Sequence, residues 1–327
     1  MKENTLLSVV IPIYCEEENL PFLYSRLLAA LEQTTESYEI IFVNDCSKDN
    51  SLEMLKNYNR ENPKVKILSF SRNFGHQTAI TAGLNFSSGQ AVVIIDGDLQ
   101  DPPELIPQFV EKWKDGYDVV YGIRIRRKGS IIKRCLYKLY YILLKKLSKI
   151  DIPPDSGDCC IMGRKVVNLL NKMPERNRFV RGLRSWVGFK QIGLEYVRDK
   201  RYAGKAKYTF LSLLKLGLDG IVSFSEIPLK ASIFIGSIIA ISSVIYSLVM
   251  VFNRIWHSEI RIPGWTSIVV SITFLGGIQL IVMGLLGEYI IRIFDEVKGR
   301  PFYILNCSVG FENEESANIS DSSSLQC

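Results

Sequence analysis

Two stretches near the C-terminus, "ASIFIGSIIAISSVIYSLVMVF" (Ala231 to Phe252) and "WTSIVVSITFLGGIQLIVMGLLG" (Trp265 to Gly287), contain no charged residue. Each has about the twenty apolar residues that a helix needs to cross the hydrocarbon of a bilayer. Helices buried in a soluble core are seldom apolar on every side for so long. The expectation is a two-helix transmembrane hairpin within 229–292, with spans at 231–252 and 265–287. An even number of crossings leaves the preceding and following chain on one side. Lys215, Lys230, Arg292, Lys298 and Arg300 flank that side, against Arg254 and Arg261 in the connector, so it is expected to be cytoplasmic.

Upstream the pattern changes to a repeating one. "LLSVVIPI", "YEIIFV", "VKILSF", "AVVIID" and "DVVYGI" read as short buried strands, with helix-like stretches starting near Asn19, Asn50, His76 and Pro102. Repeated βαβ units imply an α/β fold, a mostly parallel Rossmann-like sheet with helices on both faces. The first strand, with Pro12 and the following "CEEEN", does not read as a signal peptide. Ligands of such sheets sit outside the carboxyl ends of the strands. The polar clusters "YCEEEN", "NDCSKDN", "SRNFGHQ" and "DGDLQDPPE" all fall there. Their convergence predicts a nucleotide-sized site.

The domain that holds this site is expected over 1–225. It would include two amphipathic helices, 131–150 and 208–225. The first, "IIKRCLYKLYYILLKKLSKI", combines Leu, Ile and Tyr with Lys133, Arg134, Lys138, Lys145, Lys146 and Lys149 and has no acid. Such a helix suits an anionic membrane surface, although a packed helix with a solvated basic face would read the same way. Residues 293–327 form a cytoplasmic C-terminal segment, expected to be disordered from about 312. The net charge of +6 is modest and local, which argues against a nucleic-acid partner. Two histidines and seven cysteines without C-x-x-C spacing argue against a zinc site or a disulfide framework. No G-x-G-x-x-G follows the first strand, which disfavours a dinucleotide enzyme.

"DGDLQDPPE" then poses an electrostatic problem. Asp96, Asp98, Asp101 and Glu104 crowd the end of a buried strand. A hard divalent cation, Mg²⁺ or Mn²⁺, would relieve the repulsion between Asp96 and Asp98 and bridge to a diphosphate. Asp101 and Glu104 are expected to cap and charge the start of the next helix. His76 is expected to open a helix near the diphosphate.

Together, "DGDLQDPPE", "VNDCSKDNS", "SRNFGHQTAITAGL", "DSGDCCIM", "RFVRGLRSWVGF" and "RYAGKAKY" resemble the polyprenyl-phosphate glycosyltransferases. These belong to family two of the inverting glycosyltransferases, with the GT-A fold, and the closest resemblance is to their bactoprenol glucosyltransferase branch. The resemblance covers about residues 6 to 305. It implies a bacterial inner-membrane, multi-pass enzyme. One sugar, glucose from UDP-glucose, would move to undecaprenyl phosphate for cell-envelope glycan modification. The same reaction with an N-acetylhexosamine, or with mannose from GDP-mannose, is the alternative, and a homo-oligomer is left open. By the same resemblance Pro12, Tyr14, Glu16, Asp45, Asp96 and Gln100 would hold the nucleotide sugar, and Asp96 and Asp98 the metal. Asp98 and Asp158 would be catalytic, with Asp158 the acceptor-side acid. Arg124, Arg127, Arg201, Lys205 and Lys207 would surround the acceptor phosphate.

Departures from the family pattern are informative. Cys15 replaces the usual Asn of "YNE", Cys46 the usual Gly of "DGS", and Cys160 stands where some relatives carry Arg. The lipid phosphate is already largely ionised at neutral pH, since its second pKa is about 6. Asp158 is therefore expected to position the acceptor or take a residual proton. "RGLRSW" lacks the Gln of the Q-x-x-R-W signature of processive synthases, and two spans are few for a polymer channel. A non-enzymatic membrane subunit would not require Asp96 and Asp98.

Overall fold

The computed structural model describes residues 5–125, 156–176, 178–197 and 264–311, with scattered positions between 234 and 252. The amphipathic helices expected at 131–150 and 208–225 and the tail from 312 lie outside the described residues. So does the first expected span, apart from isolated helical positions.

The apolar runs form β1 (Leu7–Ile13), β2 (Tyr38–Asn44), β3 (Val65–Phe70), β4 (Ala91–Ile94) and β5 (Val119–Ile125). Between them lie α1 (Leu20–Glu32), α2 (Ser51–Glu61), α3 (His76–Phe86) and α4 (Ile106–Lys114), the last preceded by a 3₁₀ turn at Pro103–Leu105. In α1, Leu20, Leu23, Leu27 and Leu31 recur at helical spacing and are buried. They meet Leu7, Val9, Ile11 and Ile13 of β1 in one core. The alternate β1 residues face α3, where Gly83 packs so close to Val10 that a Cβ would lie 2.2 Å from its side chain. Burial on both faces is what a central parallel strand requires.

The remaining described elements are β6 (Ser156–Gly163), α5 (Arg164–Lys172), α6 (Val180–Trp186), β7 (Gln191–Val197), α7 (Gly264–Val297) and β8 (Leu305–Val309). They complete an eight-stranded sheet of order β7-β5-β6-β4-β1-β2-β3-β8. β1 pairs in parallel with β2 and β4, and β2 with β3. β5 is not the direct neighbour of β4. β6 is inserted between them, antiparallel to both. The reversal brings the start of β6, rather than its end, to the edge where β1, β2 and β4 terminate.

Residues after α7 rejoin this sheet, since β8 runs antiparallel along β3. Tyr303 stacks on Phe70 with ring centroids 5.2 Å apart. At the opposite end from the carboxyl edge, buried Glu39 accepts from Ser8 Oγ at 2.5 Å, Lys66 Nζ at 2.7 Å and the Ser88 amide at 2.6 Å. Cys15, Cys46, Cys159 and Cys160 are free thiols, whereas Cys307 is disulfide-bonded.

The long helix α7 belongs to a second unit. Its 34 residues extend for about 51 Å. It runs ten residues past the expected end at Gly287, and within that extension Glu288 and Arg292 pair at 3.1 Å one turn apart. The most apolar 18-residue window within Phe274–Val297 has a mean hydropathy of 1.8 and no buried part, and the helix is long and apolar enough to cross a membrane. Among the described residues it is the one helix of that kind.

Candidate functional site

Sharp turns after β1, β2 and β4 bring the polar clusters together. Each contains a residue in the left-handed region: Cys15 at φ 53°, Cys46 at 56° and Leu99 at 58°. The turn after β4 also approaches β1, so that a Cβ on Gly97 would lie 2.6 Å from Ile13 and 3.2 Å from the Pro12 carbonyl. The central residue of the D-x-D motif thus lies close against β1, and its flanks Asp96 and Asp98 are both largely shielded, Asp98 being 8% exposed. Gln100 donates its amide to Asp98 Oδ1 at 3.1 Å.

Pairing between Ile94 and Cys160 sets the register of β4 against β6. Extended by two residues, it puts Asp158 opposite Asp96. The side chains confirm a shared acidic centre with a cationic frame. His76 Nε2, at the start of α3, lies 2.9 Å from Asp96 Oδ1. Desolvation favours a neutral ring, but the charge of Asp96, with Asp158 and Asp98 farther off, outweighs it and raises the imidazole pKa to about 9. Arg181 of α6 lies 3.3 Å from Asp158 Oδ1. Gln77 donates to Asp158 Oδ2 at 3.4 Å and accepts the Val180 amide at 2.9 Å, tying α3, β6 and α6 together. Burial pushes the Asp158 carboxyl up, yet Arg181 and His76 hold it below the ordinary carboxylate value. It is ionised at neutral pH.

A second cluster adjoins the first. Asp101 is fully buried and receives Arg124 Nη2 at 3.2 Å, while the Tyr196 hydroxyl donates to it. The Arg124 Nε in turn donates to Tyr196 at 3.2 Å. Asp101 is thus not a helix cap: the following 3₁₀ turn has no side-chain cap, and the carboxylate is occupied by the ion pair. Glu104 does fall in that first turn, where Arg26 clamps both its oxygens at 2.8 and 2.7 Å.

The remaining expected residues are spread around the same edge. Asp45 is buried, its two oxygens accepting the Phe74 and Gly75 amides at 2.6 and 2.9 Å. Burial pushes its carboxyl up, and the two amides offset only part of that. Gly75, at φ 98°, makes the turn in this loop. Glu16 accepts from Asn19 at 2.5 Å, and Pro12 and Tyr14 lie at and just beyond the end of β1. Arg127, Arg201, Lys205 and Lys207 lie outside the described residues.

Among the described residues no group of three or more His, Cys, Asp or Glu could hold a metal ion. Two carboxylates at a shielded strand end instead fit a hard cation that takes its other oxygens from a substrate diphosphate. Asp96 and Asp98 would hold it. Sequence reasoning did not find the His76–Asp96 contact, the roles of Gln77 and Arg181, or the partnership of Tyr196 with Asp101. Each joins residues distant in sequence; the sequence marks His76 only as a helix start and "RGLRSW" only for its missing Gln.

Residues 8–170 match the family model described as "Glycosyl transferase family 2". The chain is 47% identical over 315 residues to "Uncharacterized glycosyltransferase YkcC" of Bacillus subtilis (strain 168), covering 96% of this chain and 97% of that protein. It is 42% identical over 303 residues to "SfII prophage-derived bactoprenol glucosyl transferase" of Shigella flexneri, covering 92% and 98%.

Proposed function

As this chain belongs to glycosyl transferase family 2 and is a glycosyltransferase, we propose that it moves one sugar from a nucleotide diphosphate to a polyprenyl phosphate at a membrane surface. Glucose from UDP-glucose and undecaprenyl phosphate are the favoured pair. The supporting relative is the bactoprenol glucosyl transferase, which matches along nearly its whole length. An N-acetylhexosamine or mannose from GDP-mannose is the alternative. The observation that carries the reading is the juxtaposition of Asp96 and Asp98 with the Asp158–Arg181 pair across the β4–β6 register.

A divalent cation held by Asp96 and Asp98, Mg²⁺ or Mn²⁺, would supply positive charge to the departing diphosphate. His76 orients Asp96, and the Gly97 turn keeps both carboxylates against β1. Asp45 fixes the Phe74–Gly75 loop through its amides, which shapes the pocket where Pro12, Tyr14, Glu16 and Gln100 would meet the nucleotide. The acceptor phosphate reacts as an oxyanion, so Asp158 need not remove a proton from it. Paired with Arg181, it positions the acceptor, while Arg124, Arg127, Arg201, Lys205 and Lys207 surround the phosphate.

A polyprenyl tail stays in the bilayer, so the site has to work at its surface. Two crossings, 231–252 and a span within α7, agree with the return of the chain to its own sheet. An odd number would leave β8 and β3 on opposite sides of a membrane although they pair. The enzyme would then be a multi-pass protein of the bacterial inner membrane, with its catalytic domain in the cytoplasm.

The test offers membranes containing the chain a panel of labelled nucleotide sugars, undecaprenyl phosphate, and Mg²⁺ or Mn²⁺. A lipid-linked sugar from UDP-glucose is expected. No lipid-linked product from any donor would overturn the proposal.

A further inference from the structure

Arg184 is 1% exposed, an unusual place for a guanidinium. Among the described residues it has no carboxylate within ion-pair distance. Its Nη1 approaches the Gly157 carbonyl at 3.5 Å, and its guanidinium carbon lies 5.1 Å from the centre of the Tyr121 ring. It also touches the Cys160 thiol, a weak acceptor. Nε and Nη2 have no hydrogen-bond partner among the described residues. A buried charge so poorly satisfied destabilises a fold, and an apolar side chain of similar volume would pack there at least as well.

What the charge faces is the acceptor side of the site. Asp158 and Cys160 are two apart on β6 and so share a face. Arg181 and Arg184 are three apart on α6 and so share a helix surface. One short helix thus delivers two guanidiniums to one strand: Arg181 pairs with Asp158, and Arg184 lies deeper, against the peptide that precedes it. We propose that Arg184 is a positioning residue, whose buried charge and contact with Gly157 hold the Asp158 carboxylate in place for the acceptor. The inference rests on the reading of Asp158 as the acceptor-side acid. Because Cys160 neighbours both groups, a guanidinium introduced there can occupy the same space.

The experiment compares Arg184→Met, the double variant Cys160→Arg/Arg184→Met, and Asp158→Asn in the full chain, with UDP-glucose, undecaprenyl phosphate and Mg²⁺. Melting temperature is measured on each preparation. Arg184→Met is expected to keep the melting temperature or raise it by roughly 2–4 °C. Its kcat should fall by about a hundredfold, with the donor KM unchanged, as misplacement of a reacting group does. The double variant should regain most of that turnover. Unchanged turnover in Arg184→Met would overturn the inference. So would a lowered melting temperature with normal turnover per folded molecule, or a loss of turnover that the double variant does not restore. A fully active Asp158→Asn would remove the acceptor-side reading itself. An inactive Asp158→Asn beside an active Arg184→Met would remove only the role of Arg184.

Discussion

The Arg124 guanidinium donates to the Asp101 carboxylate at 3.2 Å, and Asp101 is fully buried and also accepts from the Tyr196 hydroxyl. The pair lies under the site, and its first task is structural. Arg124→Met would remove a guanidinium from a buried carboxylate. The expected loss is about 3–5 kcal/mol of stability, seen as a lower denaturant midpoint. A variant that unfolds like the parent but binds the lipid phosphate poorly would instead assign Arg124 wholly to the acceptor.

Asp98 makes a sharper prediction about chemistry. Its side chain meets the Gln100 amide, an interaction that asparagine can keep through its own carbonyl. Asp98→Asn should therefore fold, while transfer falls by about 10²–10³-fold, the usual scale for removing one electrostatic contact to a developing charge. Chelation should abolish the parent activity, and Mg²⁺ or Mn²⁺ should restore it. Full activity in the presence of excess chelator would contradict a metal at Asp96 and Asp98.

The two cysteines that depart from the family pattern both have positive φ, Cys15 at 53° and Cys46 at 56°. Side chains other than those of Gly, Asn and Asp are strained there by about 1–2 kcal/mol. Asn and Gly suit that backbone at these two turns. Cys15→Asn and Cys46→Gly should each stabilise the chain by about 0.5–1 kcal/mol, allowing for the extra freedom of glycine when unfolded. Thermal unfolding of the single and double variants checks this, and near-additive gains are expected.

Much of this architecture could be read along the chain because it is local. Apolar runs and the turns after them locate β1 to β5, and the D-x-D motif follows from charge crowding at a strand end. β6 is another matter. "DSGDCCIM" is recognisable as a motif, but nothing in it says that it runs antiparallel between β4 and β5, and only that insertion brings Asp158 to Asp96. The misreading of Asp101 has the same origin. Its position before Pro102 and Pro103 favours a cap, whereas its partners come from β5 and β7 and outcompete the local helix start. Residues 293–327 read as a separate segment because β8 is short, and its partner β3 lies more than two hundred residues earlier.

Glu39 sets an acid limit on the fold. Burial pushes its carboxyl up, but Lys66, Ser8 and the Ser88 amide outweigh that and leave it below the ordinary value. A folded pKa below the unfolded one adds stability above the unfolded pKa of about 4.3. That stability is lost as pH falls through the folded pKa. Glu39→Gln should cost about 2 kcal/mol near neutrality, the scale of charge-assisted hydrogen bonds. The gap between parent and variant should narrow as pH drops from about 5 to 3. A gap that stays constant over that window would show that the Glu39 charge contributes nothing.

The last strand tests whether the chain after α7 is an appendage or part of the enzyme. Tyr303 is 7% exposed, stacks on Phe70 at 5.2 Å and receives Asn85 Nδ2 at 3.2 Å. Just beyond it, Leu305, Cys307, Ser308 and Val309 pair with β3 and cover what would otherwise be a bare sheet edge. Tyr303→Ala should cost about 3–5 kcal/mol, as the loss of a large buried ring does. Tyr303→Phe keeps the stack and should cost only about 1 kcal/mol for the hydroxyl. Deleting residues from Arg300 onward should destabilise the catalytic domain and promote aggregation through β3, even with α7 intact. Melting temperatures and the soluble fraction in detergent separate these outcomes. If Tyr303→Ala and the deletion both melt with the parent, β8 is dispensable. The argument for an even number of membrane crossings would then lose its support.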